Sequence, residues 1–273
     1  MIKKIFLLTL VAFALGTGLS RADQGKLPEK LLYVVITSRN NIKWYKKLLY
    51  SIFSQEYENY KVVFTDDAST DGQADAVAGL VRALGQEHRF TLIRNQTRRG
   101  ALENLYNMIH AAPHNAIVAT WDGDDWAPHR KVFKKLNEVY STQNVWLTHG
   151  RLVETESKAS NWCETVPAHI IKKNEFRKFK CPSHLRTFYA WLFKKIKKED
   201  LMFGGKFFEM TWDQAMMFPM IEMAGERHAF IDEINYVYNT TTQFSDNKVN
   251  AKLQNDLEAV IRAMKPYRRL ENI

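Results

Sequence analysis

The chain has 273 residues with the make-up of an ordinary globular protein, 45% hydrophobic and 12% aromatic, so a low-complexity or core-less polypeptide is set aside. Its formal charge of +9 leaves three classes of partner open: nucleic acid, an anionic membrane, or a phosphate-bearing small substrate. The two cysteines, Cys163 and Cys181, lack CxxC spacing and any accompanying histidine pattern, which argues against zinc; they could pair in an oxidising compartment or stay as thiols.

Lys3 and Lys4 precede an apolar run from Ile5 to Leu15, and Ser20-Arg21-Ala22 has the small residues of a signal-peptidase site. Residues 1–22 are therefore expected to be a signal peptide, or else an uncleaved N-terminal anchor, and the protein to be exported or membrane-anchored, with attachment at a cytoplasmic face as the alternative. Loss of this segment removes Lys3, Lys4 and Arg21 and no acid, leaving +6 on the mature chain.

Residues 31–37 are β-branched and almost continuously apolar, which predicts a buried strand. A helix over 41–55 follows, with Trp44, Leu48, Leu49, Ile52 and Phe53 at helical spacing. Strands are predicted over 61–65, 90–93 and 117–120, and helices over 73–84 and 100–110. This alternation predicts a parallel, doubly wound sheet that binds ligands at the C-terminal ends of its strands. Ser38-Arg39-Asn40-Asn41 stands where a glycine-rich dinucleotide fingerprint would follow the first strand, and a Walker loop is missing as well.

Two acidic clusters fall at predicted strand ends. The second, Asp122-Gly-Asp-Asp125, ends the run Ile117-Val-Ala-Thr-Trp121 and is closed by Trp126 and Pro128. Carboxylates packed this closely raise one another's pKa unless a cation neutralises them, and hard oxygen ligands favour Mg²⁺ or Mn²⁺. An acidic surface turn is the plainer alternative.

Beyond residue 140 the pattern is less regular. A strand is predicted over 145–153, an amphipathic helix over 209–223, an edge strand over 231–238 and a terminal helix over 251–264. Residues 172–198 carry ten Lys or Arg among aromatics. Within them Trp191-Leu-Phe-Lys-Lys-Ile-Lys-Lys198 could lie on a membrane surface or form a solvated helix face. Trp126 and Trp212 could stack on sugar rings or pack in the core.

Four stretches together resemble glycosyltransferase family 2, the inverting enzymes of the GT-A fold: Val35-Ile-Thr-Ser-Arg-Asn40, Leu49-Tyr-Ser-Ile-Phe-Ser-Gln-Glu-Tyr-Glu-Asn-Tyr60, Thr65-Asp-Asp-Ala-Ser-Thr-Asp-Gly72 and Asp122-Gly-Asp-Asp125. The likeness covers roughly residues 31–130. It implies a Rossmann-like, mostly parallel twisted sheet flanked by helices, with a nucleotide-sugar-binding half over 23–140 and a more irregular acceptor-side half with a C-terminal helix over 141–273. It further implies metal-dependent transfer of a sugar, with inversion, from a nucleoside-diphosphate donor (UDP-linked by expectation) to a hydroxyl on a glycan, lipid or protein acceptor.

By this resemblance Thr37, Asp67, Arg99 and Asp122 would contact the donor, while Asp66, Ser69 and Asp71 would anchor the turn after the second strand. Asp124 would be the principal metal ligand and Asp125 a ligand or a neighbour of one, with Mn²⁺ or Mg²⁺ stabilising the departing diphosphate. Asp213, at a predicted helix start, would be the general base, although the Trp212-Asp213 here departs from the family's more usual Glu-Asp pair. His184, in Cys181-Pro-Ser-His-Leu-Arg186, could touch metal, phosphate or acceptor, or simply pack. A nucleotide-sugar hydrolase or nucleotidyltransferase on a similar sheet is the alternative enzyme. A non-catalytic binder of nucleic acid or membrane through the basic stretch is the alternative outside catalysis, but it gives the acidic clusters no role, and nucleic acid is not the expected partner. Asn95-Gln-Thr97 and Asn239-Thr-Thr241 would matter as sequons only in a glycosylating compartment.

Overall fold

The computed structural model describes residues 27–157, 164–242 and 246–271. The expected signal or anchor segment lies outside these residues, as does Cys163, so the pairing of Cys163 with Cys181 does too. Among the described residues no helix is long and apolar enough to cross a membrane.

The N-terminal half alternates as the sequence predicts: β1 (Leu32–Ser38), α1 (Tyr45–Phe53), β2 (Tyr60–Asp66), α2 (Gln73–Ala83), β3 (Phe90–Arg94), α3 (Ala101–Ala111) and β4 (Ile117–Asp122). Next come α4 (Val132–Thr142), β5 (Leu147–Glu154), α5 (Ala168–Lys173), β6 (Thr187–Tyr189) and α6 (Ala190–Phe193). A two-stranded hairpin of β7 (Met202–Phe203) and β8 (Lys206–Phe207) leads to α7 (Trp212–Ala224), β9 (His228–Tyr238) and α8 (Asp246–Ala263).

The main sheet has the order β3-β2-β1-β4-β6-β5-β9. β1, β2, β3 and β4 are parallel, β6 runs antiparallel to both of its neighbours, and β9 lies parallel to β5 at the edge. β1 is buried along its length, and its side chains alternate between two cores. Leu32, Val34 and Ile36 pack with residues of α1, α2 and α4, whereas Tyr33 and Val35 pack with residues of α3, α6 and α7. Because the strand order reverses between β1 and β4, a crevice opens at the C-terminal ends of those two strands.

Three features beyond β4 differ from the sequence reading. α4 was not anticipated, although Val132, Phe133, Leu136, Val139 and Tyr140 form its buried stripe. β6 is only three residues long, too short to leave a periodic signal. α7 is not amphipathic: every residue from Gln214 to Ala224 is buried. Its one charged residue in that stretch, Glu222, is met by Arg177, with Nε–Oε1 at 2.6 Å and Nη2–Oε2 at 3.0 Å. Arg177 also donates to the Ile261 carbonyl and Glu222 accepts the Tyr267 N–H, so this buried pair fastens α8 and the tail after it to the core.

The basic stretch is likewise drawn inward. Trp191, Leu192, Phe193 and Ile196 are core residues, leaving Lys195, Lys197 and Lys198 exposed. The apolar side that a membrane-surface helix would need is therefore already used in the fold.

Between β5 and β9, His149 is buried and its ring stacks on His228 with centroids 5.9 Å apart. Burial, and then the charge of His228, push His149 down to about 3 from an ordinary 6.5. Above pH 6.5 both folded and unfolded chains keep this group neutral; as pH falls from there toward about 3, only the unfolded chain takes up the proton. His149 should thus steepen acid destabilisation by about 1.4 kcal/mol per pH unit inside that window. Urea unfolding of His149→Phe between pH 7 and pH 4 is expected to give a flatter dependence than the wild type.

Candidate donor and metal site

The register of the strands assembles one edge of the site. Thr37 on β1 lies opposite Thr65 on β2 and Asp122 on β4, and Ser38 lies opposite Asp66. Three of the expected donor residues (Thr37, Asp67, Asp122) thereby meet at neighbouring strand ends.

The turn after β2 is held by its own side chains. Asp66 accepts the Ser69 N–H at 3.0 Å and the Gln73 Nε2 at 2.8 Å; Asp71 accepts the N–H groups of Gln73 and Ile42, each at 3.0 Å. Ser69 Oγ accepts the Asn40 N–H at 2.9 Å. Buried Gln73 ties the loops together further, its Oε1 accepting from Ser38 Oγ and the Asn41 N–H at 2.8 Å each. The anchoring roles expected of Asp66, Ser69 and Asp71 are the ones these contacts describe.

Asp67 is also tightly held. Oδ1 accepts Asn95 Nδ2 at 2.8 Å and the Arg99 N–H at 2.9 Å, while Oδ2 accepts the Gly100 N–H at 2.9 Å. Burial works against its charge, but the donors from Arg99, Asn95, Asn104 and Gly100 outweigh it and keep the carboxyl below the usual range. Arg99 meets Asp67 through its backbone; its guanidinium is half-exposed and lies 3.8 Å from Glu103. Asn95, which the sequence marks only as a sequon, is thus part of the cradle.

The cluster at the end of β4 begins with a close approach. A Cβ at Gly123 would run into the Ser38 side chain and come within 2.9 Å of Ser38 Cα, so only glycine lets the two strand ends meet here. Asp125 is buried; Oδ2 accepts the Tyr236 hydroxyl at 2.6 Å and Oδ1 the Asn239 N–H at 2.7 Å. His184 is buried with Nε2 at 3.5 Å from Asp122 Oδ2. Ligand atoms of Asp122, Asp125 and His184 all lie within 4.8 Å of one another. Asp124, the expected principal ligand, lies beside this group and not in it, sharing a hydrogen bond with Thr242.

The electrostatics follow from this packing. Burial, then the charge of Asp122, push Asp124 up to about 6; burial, then Asp124 and Asp122, push Asp125 well above the usual carboxyl range. Burial disfavours the charge on Asp122 too, but the hydrogen bond from His184 and the Arg186 charge keep its pKa below the usual range. Burial and the nearby Arg186 charge lower His184, favouring the neutral imidazole. Two acids with an imidazole, and a third acid alongside, form a donor set that a divalent cation fits.

Asp213 sits in the first turn of α7, after Thr211 in the left-handed conformation (φ 51°). Buried Arg186 donates from Nη2 to Asp213 Oδ2 at 2.8 Å and lies 5.6 Å from the centroid of the Trp212 ring. His184 and Arg186, two residues apart ahead of β6, thus link the acid cluster on one side to Asp213 on the other. Trp126 is buried, with Lys47 Nζ 3.4 Å from its ring centroid and Trp44 stacked 6.1 Å away, and this packing leaves no face for a sugar. Sequence reasoning missed Tyr236, Asn239 and Arg186. No spacing rule links β9 to β4, and Arg186 was passed over as one more basic residue. Asn239 is 1% exposed, which removes it as a glycosylation acceptor in the folded chain.

The profile of Glycosyl transferase family 2 matches residues 33–201, which take in both acidic clusters, His184 and Arg186. The chain belongs to glycosyltransferase family 2. By sequence it is 33% identical over 86 residues to EpsE of Bacillus subtilis (strain 168), described as a candidate glycosyltransferase; the match covers 32% of this chain and 30% of that one. Among solved structures it is similar to residues 1–349 of TarS from S. aureus (TM-score 0.60, 17% identity), across 76% of this chain and 60% of that one. It is equally similar to the mannosyltransferase PcManGT from Pyrobaculum calidifontis, solved with GDP-Man and Mn²⁺ (TM-score 0.60, 20% identity), across 86% of this chain and 65% of that one. TarS has also been solved with UDP-GlcNAc (TM-score 0.56, 14% identity), across 77% of this chain and 59% of that one. The chain therefore spans less than two thirds of these relatives, and the fold it shares with the solved structures is the GT-A α/β sheet.

The Gly123 contact gives a direct test of the strand-end geometry. Gly123→Ala is expected to lose about 1–3 kcal/mol of stability through overpacking against Ser38. Equilibrium urea unfolding measures this, and a change within experimental error would mean that the loop relaxes freely.

Proposed function

We propose that this chain transfers a sugar from a nucleoside-diphosphate donor, with uridine the expected base, to a hydroxyl acceptor by a single inverting displacement assisted by a divalent cation. The observation that carries this reading is the convergence of Asp122, Asp125 and His184 at the strand-order reversal, where Asp122 stands directly opposite Thr37. The family membership and the relatives solved with UDP-GlcNAc or with GDP-Man and Mn²⁺ support it.

In this reading Thr37 and Asp67 face the nucleoside, and Asp122 reaches both ribose and ion. Arg99 keeps Asp67 oriented through its backbone and leaves its guanidinium for phosphate. Asp122, Asp125 and His184 would hold Mn²⁺ or Mg²⁺, with Asp124 the adjacent carboxylate whose charge the ion also relieves. When bound, the ion supplies a Lewis acid that stabilises charge on the leaving diphosphate. Asp213 takes the proton from the acceptor hydroxyl as that oxygen attacks the anomeric carbon. Arg186 fixes the orientation of Asp213, which needs only its second oxygen, Oδ1, to reach the acceptor. The acceptor, a glycan, lipid or protein, is a matter for the product assay.

The basic stretch gives little support to a nucleic-acid binder. Arg177, Lys178, Lys180 and Arg186 are each matched by an acid, Glu222, Glu175, Glu164 and Asp213 respectively. A hydrolase or nucleotidyltransferase would use the same metal site, and it is distinguished by its products, free sugar or a cleaved phosphate bond in place of a glycoside.

Two outcomes are expected. Thermal melts with a panel of nucleoside diphosphates should show stabilisation that requires Mn²⁺ and is largest for UDP, since a ligand that binds only the folded chain raises its stability; stabilisation by no nucleotide would refute the reading. Asp213→Asn should keep that stabilisation and lower glycoside formation by about 10²–10⁴-fold, the usual contribution of a general base. Undiminished turnover would remove Asp213 from the base role.

A further inference from the structure

Tyr236 lies on the edge strand β9, yet it touches each of the three residues that converge at the end of β4. Its hydroxyl donates to Asp125 Oδ2 at 2.6 Å and accepts the Asp122 N–H at 3.2 Å. Its ring stacks on the His184 imidazole with centroids 4.4 Å apart and planes 24° apart. Trp121 also stacks on the Tyr236 ring, at 5.8 Å and 21°, and the side chain is 0% exposed.

The sheet explains how a distant strand reaches this place. β9 is separated from β4 by β6 and β5, but β6 pairs with β4 only at Ile117, Val118 and Ala119. Past Ala119 the Thr120 N–H still donates to the Arg186 carbonyl at 3.2 Å, and the Asp122 N–H goes instead to the Tyr236 hydroxyl. The chain after β4 is met there by β9 through the isolated Trp126–Val237 bridge, with Trp126 N–H to Val237 O at 3.3 Å and Val237 N–H to Trp126 O at 2.9 Å. Val237 pins the backbone, and its neighbour Tyr236 is delivered into the cluster.

These contacts constrain orientation as well as position. A carboxylate that accepts a buried 2.6 Å hydrogen bond on one oxygen and the Asn239 N–H on the other has lost its freedom to rotate. The stacked phenol likewise fixes the plane of the imidazole. Groups of this kind, which touch ligands and not the ion, set metal affinity by preorganisation.

We propose that Tyr236 is the positioning residue of the divalent-cation site, its hydroxyl holding Asp125 and the Asp122 backbone and its ring holding His184. This rests on the metal-dependent reading above, and the two are separable by experiment. The full chain is titrated with Mn²⁺ alone, with free Mn²⁺ followed by its paramagnetic resonance signal, for the wild type, Tyr236→Phe, Asp125→Asn and Trp121→Phe. Tyr236→Phe keeps the ring and removes only the hydroxyl, and it is expected to raise the Mn²⁺ dissociation constant by about 10–100-fold. Asp125→Asn should weaken binding at least as much, whereas Trp121→Phe, which loosens the packing behind the ring but leaves the hydroxyl contacts, should bind within a few-fold of the wild type.

If Asp125→Asn binds Mn²⁺ like the wild type, the metal reading itself fails. If Asp125→Asn loses binding but Tyr236→Phe does not, the positioning role alone is overturned. Equal loss in Tyr236→Phe and Trp121→Phe would reduce Tyr236 to general packing and also overturn it. Should Tyr236→Phe be too unstable to titrate at 25 °C, the Mn²⁺ concentration that gives half the maximal rise in melting temperature provides the same comparison.

Discussion

The mutual repulsion of Asp122, Asp124 and Asp125 is the constraint around which this end of the molecule is organised. Each acid meets a different response from the fold. Asp122 is kept ionised by His184 and Arg186; Asp125 receives the Tyr236 hydroxyl and the Asn239 N–H; Asp124, with Thr242 as its hydrogen-bonding partner, is pushed up to about 6. Hydrogen bonds distribute the charge without cancelling it, so a doubly charged cation is the natural complement.

The N-terminal half of the chain was legible because its determinants are local. The alternation of β-branched runs with helical stripes gives the strands and helices from β1 to β4, and the turn chemistry of Asp66, Ser69 and Asp71 is closed within a few residues of itself or of the neighbouring loop. Gly123 stands in the sequence only as part of a motif, and its physical reason comes from the fold: a side chain there would collide with the end of β1. The stripe of α4 is equally present in the sequence, at Val132, Phe133, Leu136, Val139 and Tyr140.

What could not be read depends on contacts across long stretches of chain. The polar start of α7 and Glu222 within it suggest a solvent-facing side, but Arg177 supplies the buried counter-charge from another element. Asp213 is marked in the sequence only by the family resemblance, and its partner Arg186 is assigned only by the fold. His184 was noticed as a lone histidine; its meaning comes from Asp122 on one side and Tyr236 on its face.

These contacts assign different work to the two halves of the chain. The first half builds the strand ends and the turn that would cradle a nucleoside, using residues close in sequence. The second half supplies the groups that orient the acids, His184 and Arg186 from the segment before β6 and Tyr236 and Asn239 from the end of β9. The short length of β6 makes this possible. Pairing carried on from the Thr120–Arg186 bond to the end of β4 would take the Asp122 N–H that the Tyr236 hydroxyl now accepts. The irregularity of the second half therefore serves the site: regular pairing with β4 ends at the Thr120–Arg186 bond, and the edge strand takes over at Asp122.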